Sequence, residues 1–272
     1  MTVIQTIILG IVQGATEFIP ISSSAHLLLI PWLLDWPVTP SLGFDVVLHL
    51  GTLVAVLIYF WKDWLAMAQG TLRLLTKRDT SDPNLKLLGL LIVGTIPAAV
   101  IGGLFEDFFE RVFQSPLVAS LMLFVTAGLL FVGERLGKEN HDLENVSWLD
   151  SIIIGLAQAL AIFPGISRSG ATIAAGRLRN LKRDSAARFS FMLATPIILG
   201  TGIIHLIDLF ETGIASSEIV VLLIGFVCAL VSGYFVIRWL LSFLRSRSTA
   251  IFSVYCVMAG ALCLIVLLVR GR

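Results

Sequence analysis

Apolar runs of about 20 residues recur along the whole of this chain, the length a helix needs to cross a hydrocarbon core ~30 Å thick. Six of them are clean, over residues 43–61, 87–105, 116–133, 189–207, 219–237 and 251–269. Only 14% of the 272 residues are charged, against about 25% in a soluble domain, and the mean hydropathy is +0.95. The expected fold is all-α and polytopic, a single integral membrane domain over residues 1–272. A net charge of +1 gives no electrostatic footprint for nucleic acid. Cys228, Cys256 and Cys263 lie in apolar stretches without CxxC spacing, and read as small buried hydrophobes. The first basic residue is Lys62, so no cleavable signal peptide is expected.

Two apolar stretches break the pattern. Residues 1–34 carry Gln13, Glu17, Pro20, three consecutive serines, His26 and Pro31; residues 150–176 carry Gln158, Pro164, Ser167, Arg168, Ser169 and Thr172. A helix broken at membrane depth survives only where its freed backbone groups are buried in protein or line a cavity. Both stretches are therefore expected to be re-entrant hairpins, two short helices around a polar loop.

Loop charge predicts the orientation. Arg73, Lys77, Arg78 and Lys86 crowd one loop, and Arg177, Arg179, Lys182, Arg183 and Arg188 another; Arg238, Arg245 and Arg247 follow the fifth span. Glu106, Asp107 and Glu110 (with Arg111), then Asp208, Glu211 and Glu218, mark acidic loops. Basic loops stay cytoplasmic, which puts the first hairpin and both termini outside and the second hairpin inside. Arg270 and Arg272 count against this assignment.

The two stretches also resemble each other. The shift that lays Gly10 on Gly155 lays Gln13 on Gln158, Phe18 on Phe163, Ser22 on Ser167, Ser24 on Ser169 and Phe44 on Phe189. Each half is then a hairpin plus three spans, about 1–140 and 146–272, and an odd number of spans makes the halves inverted. Inverted repeats with broken helices put a site at the repeat interface, with the two polar loops face to face.

The first loop reads QGATEFIPISSSAH. Gln13 and Glu17, four apart, share a helix face. They are either polar glue to a neighbouring helix or, since a carboxylate within a span is costly, functional. Ser23 and His26 add a hydroxyl and an imidazole that can serve as nucleophile, acid or base. The second loop reads PGISRSGAT. Gly165 and Gly170 permit turns in which successive N–H groups form an anion nest at a helix N-terminus. Ser167, Ser169 and Thr172 add hydroxyls, and Arg168 is a permanently charged fork suited to phosphate oxygens. The alternative for Arg168 is a bare ion pair with Glu17. His49, mid-span beside Gly51 and Thr52, reads as a packing or supporting residue, and His141 and His205 as ordinary loop and span-end polarity. Trp32, Trp36, Trp61 and Trp64 read as interfacial anchors; Gly94, Pro97 and Pro196 as places for close packing or kinks.

These motifs resemble those of the bacterial undecaprenyl-diphosphate phosphatases of the bacitracin-resistance type. QGATEFIPISSSAH looks like the family's (Glu/Gln)-x-x-x-Glu motif with its Pro-x-Ser-Ser segment, and PGISRSGAT matches PGxSRSxxT at every defined position. GTIPA and FSFMLATP extend the likeness over nearly the whole chain. The resemblance implies hydrolysis of a C55 polyprenyl diphosphate to the monophosphate for peptidoglycan synthesis, at the outer face of the inner membrane. It implies a divalent cation, Mg²⁺ or Ca²⁺, held in part by Glu17 and Gln13. Glu17, Ser23, His26, Ser167, Arg168 and Thr172 are the implied site residues. Gln13 stands where many members have Glu, and Ser24-Ala25 where Thr-Gly is common. The implied partners are the polyprenyl diphosphate and membrane lipids, with room for a homo-oligomer. The physical reading is that Arg168 and the nest bind phosphate while Ser23, activated by His26, or else His26 itself, attacks phosphorus. A lipid or ion transporter or flippase of inverted-repeat type would show the same broken helices. A PAP2-type lipid phosphatase needs an Arg-Pro pair, which the chain lacks.

Overall fold

The computed structural model describes residues 1–37, 41–78, 80–104, 115–212 and 216–271. Its helices are α1 (Val3–Phe18), α2 (Ser23–Leu33), α3 (Leu42–Tyr59), α4 (Trp61–Lys77), α5 (Pro83–Leu104), α6 (Pro116–Leu136), α7 (Trp148–Leu160), α8 (Arg168–Leu178), α9 (Arg183–Thr212), α10 (Ser216–Leu244) and α11 (Ala250–Arg270). Six segments among the described residues are long and apolar enough to cross a membrane: Leu42–Tyr59, Pro83–Leu104, Pro116–Leu136, Arg183–Ile207, Glu218–Leu244 and Ala250–Arg270. They coincide with the six expected runs, and the chain is a multi-pass, all-helical membrane protein. The acidic loop of Glu106, Asp107, Glu110 and Arg111 lies outside the described residues.

The broken stretches form two pairs of short helices, of 16 and 11 residues (α1, α2) and of 13 and 11 (α7, α8). At 1.5 Å per residue none exceeds roughly 24 Å. Local chemistry sets their ends. Thr2 and Gln5 form a capping box at the start of α1, and Ser147 and Asp150 form another at the start of α7. Ser22 caps α2 by accepting from the Ala25 amide, and Ser167 caps α8 by accepting from the Gly170 amide.

Helix α4 departs from the sequence reading, which treats the residues after Trp61 as part of a basic loop. Met67 and Gly70 face the protein, while Trp61, Leu65, Leu72 and Leu75 form an exposed apolar stripe. Lys62, Arg73 and Lys77 occupy the remaining side. This three-faced pattern suits a helix lying in a membrane interface. Its mixed composition hides it from a search for apolar runs.

Packing is reciprocal between the halves. Helix α1 packs on α10 and α7 on α5; α3 and α9 pack on each other, and on α10 and α5 respectively; α6 packs on α11. A Cβ on Gly10 would lie 2.8 Å from the Gly225 carbonyl oxygen, and one on Gly155 would strike that of Gly94. Both crossings therefore require glycine. The first pair is tied to the last helix by Arg270, which donates to the Trp32 and Leu33 carbonyls at 2.8 and 3.1 Å and to Asp35 at 2.8 Å. Its charge serves the exposed carbonyl end of α2. Elsewhere, Glu134 of α6 accepts from Arg183 of α9 and from Thr249, which precedes α11. Buried Arg177 of α8 donates to the Leu181 and Gly137 carbonyls.

Candidate active site

Glu17 ends α1 with its carboxylate almost wholly buried, and four polar groups converge on it. Arg168, the first residue of α8, forms an ion pair with Oε1. Ser23 donates its hydroxyl to Oε2 at 2.6 Å and Gln13 its amide at 3.0 Å. His49 of α3 brings Nε2 to 3.6 Å from the same oxygen. An unpaired carboxylate at this depth would cost several kcal/mol; here every contributor comes from a different turn or helix. The expected meeting of the two polar loops therefore occurs, with Glu17 and Arg168 at its centre. A second tie runs from Ser169 to the Ile19 carbonyl at 3.5 Å.

Around Arg168 the chain is positioned from α6. Gly165 has φ +93°, and a Cβ there would lie 2.5 Å from the Ala119 carbonyl oxygen, so only glycine fits both the turn and the space. Thr126 of α6 donates to the Gly165 carbonyl at 3.1 Å and accepts from the Ser167 amide at 2.9 Å. Arg168 and Ser169 then open α8, in positions whose amides lack intrahelical acceptors, so the positive end of the helix faces the carboxylate. Ser167 and Ser169 hydroxyls lie 3.2 Å apart. Thr172 differs from expectation. Its hydroxyl bonds the Arg168 carbonyl at 2.7 Å and Ser190 of α9 at 2.6 Å, so it braces α8 against α9 instead of facing the Glu17–Arg168 centre.

The sequence reading pairs Ser23 with His26, one helical turn on. In the structure the Ser23 hydroxyl goes to Glu17, and His26 is held elsewhere. Its Nδ1 lies 2.7 Å from the Ser22 carbonyl, and its Nε2 lies 2.7 Å from the hydroxyl of Tyr255 on α11. Ser22 has φ 73°, an uncommon conformation for a residue with a Cβ. This turn aims the Ser22 carbonyl at the imidazole four residues on.

Of two further neighbours of the site, the sequence reading gave His49 a packing or supporting role and did not single out Tyr255. His49 reaches Glu17 from a span whose flanking Gly51 and Thr52 were the available signal. Its Nδ1 is within 2.8 Å of the Asp45 carbonyl, an i to i−4 bond of its own helix. Tyr255 lies 229 residues from His26 in an apolar run, where nothing local singles it out. Beside the second helix pair lies an apolar cavity of about 520 Å³, lined by Ile101, Leu129, Leu156, Leu160, Phe163 and Leu178 among others.

Residues 6–262 match the family model described as bacitracin resistance protein BacA. The undecaprenyl-diphosphatase of Desulforudis audaxviator is 43% identical over 271 residues, covering 100% of both chains. That of Rubrobacter xylanophilus is 44% identical over 257 residues, covering 94% of each. The undecaprenyl-diphosphatase of Methanobrevibacter smithii is 44% identical over 271 residues, covering 96% of each.

Proposed function

The chain belongs to the bacitracin resistance protein BacA family, and from that premise we propose how it hydrolyses undecaprenyl diphosphate to undecaprenyl phosphate and inorganic phosphate. This activity recycles the lipid carrier of peptidoglycan synthesis. The diphosphate enters between the turns at Ser22 and Ser167. Arg168 turns from Glu17 to the phosphate oxygens, where its fork and the amide end of α8 stabilise charge in transfer. Ser167, Ser169 and Gly165 shape that cradle, and Thr172 holds α8 in place behind it.

The observation that carries the mechanism is the 2.6 Å bond from the Ser23 hydroxyl to Glu17. A serine attacks only when a base takes its proton, and Glu17 is the acceptor in contact. Ser23 Oγ bonds to the terminal phosphorus, its proton passes to Glu17 Oε2, and the bond to the bridging oxygen breaks, releasing undecaprenyl phosphate. Water then attacks the phosphoserine, giving a proton to His26. Inorganic phosphate leaves as Ser23 recovers the proton held on Glu17, and His26 gives up its proton to the departing phosphate or to water.

Among the described residues no cluster of three His, Cys, Asp or Glu is arranged to hold a metal ion. Gln13 Oε1 is buried without a partner beside Glu17. Glu17 and Gln13 Oε1 are oxygen donors of the kind that would hold a hard cation such as Mg²⁺ or Ca²⁺. When bound it would neutralise charge on the phosphate oxygens.

The inverted-repeat architecture belongs to the same proposal. It is supported by the reciprocal packing of α1 on α10 and α7 on α5 and by the loop charges. The same proposal has the protein in the inner membrane with the site facing outward. The isoprenoid tail lies among the spans, and the apolar cavity beside α8 is wide enough to receive part of it. A reporter fused after Arg78 or Arg183 should then report cytoplasm, and one after Glu211 the outside. The chemistry is tested by quenching turnover of C55 diphosphate labelled with ³²P at the terminal phosphate, with and without EDTA. Acid-stable, alkali-labile label on Ser23 supports the serine route. Acid-labile label on His26 replaces it with direct attack by imidazole, and absence of labelled protein with attack by water. EDTA should stop phosphate release.

A further inference from the structure

We propose that Tyr255 is the positioning residue of His26, holding from α11 the Nε2 atom through which the imidazole works. The inference rests on the role given to His26 above and adds the group that holds it. A carbonyl oxygen can only accept, so the 2.7 Å contact to Ser22 requires the hydrogen on Nδ1. In the neutral ring Nε2 then carries the lone pair, and the Tyr255 hydroxyl, 2.7 Å away, donates to it. The two rings also lie nearly parallel, with centroids 5.7 Å apart and planes inclined by 16°. His26 thus has one nitrogen held by the backbone of its own strained turn and the other by a helix from the opposite end of the chain. Imidazole cannot take a water proton through Nδ1, which already bears one, so Nε2 is the basic atom and Tyr255 is its only side-chain hydrogen-bond partner among the described residues. The Tyr255 hydroxyl can turn about its C–O bond and so can either donate or accept. On protonation of His26 the same oxygen can become the acceptor, and the ring keeps its place through the change.

The chain has four histidines, so ¹⁵N-histidine labelling in detergent gives a spectrum that His26→Ala can assign. The wild-type protein should show His26 protonated at Nδ1 and bare at Nε2. Tyr255→Phe keeps the ring contact and removes only the hydroxyl. It should leave the hydrogen on Nδ1, shift the His26 Nε2 resonance as its hydrogen bond is lost, and lower kcat about ten-fold, the worth of one hydrogen bond, with KM and melting temperature near wild type. A wild-type signal protonated at Nε2 overturns the proposal without any variant. So does Tyr255→Phe with an unchanged Nε2 resonance, whether or not kcat falls. A shifted Nε2 resonance with unchanged kcat supports the positioning by Tyr255 and instead removes His26 from the chemistry, which separates this inference from the mechanism it rests on.

Discussion

Thr2 and Gln5 close the capping box of α1, and Ser147 and Asp150, each 145 positions on, close that of α7. Ser22 and Ser167 stand at the same offset, each capping the second helix of its pair from three residues away and each with a second serine hydroxyl at 3.2 Å. These capping bonds match, but Ser22 has φ 73° where Ser167 has φ −72°, and the equipment differs as well. Glu17 corresponds to Ile162, Ser23 to Arg168, His26 to Ala171 and His49 to Ala194. One pair carries the carboxylate, hydroxyl and imidazole; the other carries the cation. Gln13 reaches Glu17, whereas buried Gln158, with no carboxylate one turn on, has neither amide atom partnered among the described residues. Two copies of a turn suited to holding an anion do not make a phosphatase. The site needs the groups that differ between them, brought together at Glu17 and Arg168.

The strongest test of that division of labour removes the hydroxyl. Ser23→Ala should lower phosphate release by about 10⁴-fold or more, as loss of a covalent nucleophile does, with binding of the lipid diphosphate retained; substantial remaining activity would reduce Ser23 to a phosphate ligand. Glu17→Gln should cost about 10³-fold, within the range for a general base, and should blunt the response to added Mg²⁺. A variant with the wild-type cation response would place the metal elsewhere. Arg168→Lys preserves the charge of the second pair and loses its fork, and a fall in kcat of roughly 10²-fold is expected. Near-normal turnover would leave Arg168 as only the ion-pair partner of Glu17.

The two glutamines sharpen the comparison at the smallest scale. Gln158→Leu removes a buried amide without partners and should leave activity unchanged while stabilising the fold by about 1 kcal/mol. Gln13→Leu should instead lower activity, since it strips a donor from Glu17. Equal effects at both positions, measured by phosphate release and thermal melting in detergent, would remove the functional distinction between the pairs.

Much of this was legible before any coordinates. Six apolar runs specify six spans because hydrocarbon tolerates a backbone only when a helix satisfies it internally. Glu17, Arg168 and the serines stood out because polar groups at that depth are expensive and need a reason. Helix α4 did not stand out, since its period is split over three faces. The capping roles of Ser22 and Ser167, the bracing role of Thr172 and the service of Arg270 to α2 were equally invisible, because each depends on which carbonyl or amide comes within about 3 Å.

By itself, then, the sequence determined the class of fold, the two interrupted stretches and the list of groups able to do chemistry. All of these follow from residue type and local spacing acting against the membrane as solvent. Only the tertiary structure decided who works with whom: Ser23 with Glu17, His26 with Tyr255, and His49 at the carboxylate. Proton transfer depends on contacts of under 3 Å, and such contacts between residues far apart in the chain are set by how helices cross. The first helix of each broken pair is itself seated by a glycine crossing, Gly10 against Gly225 and Gly155 against Gly94, where the absence of a side chain lets two backbones approach.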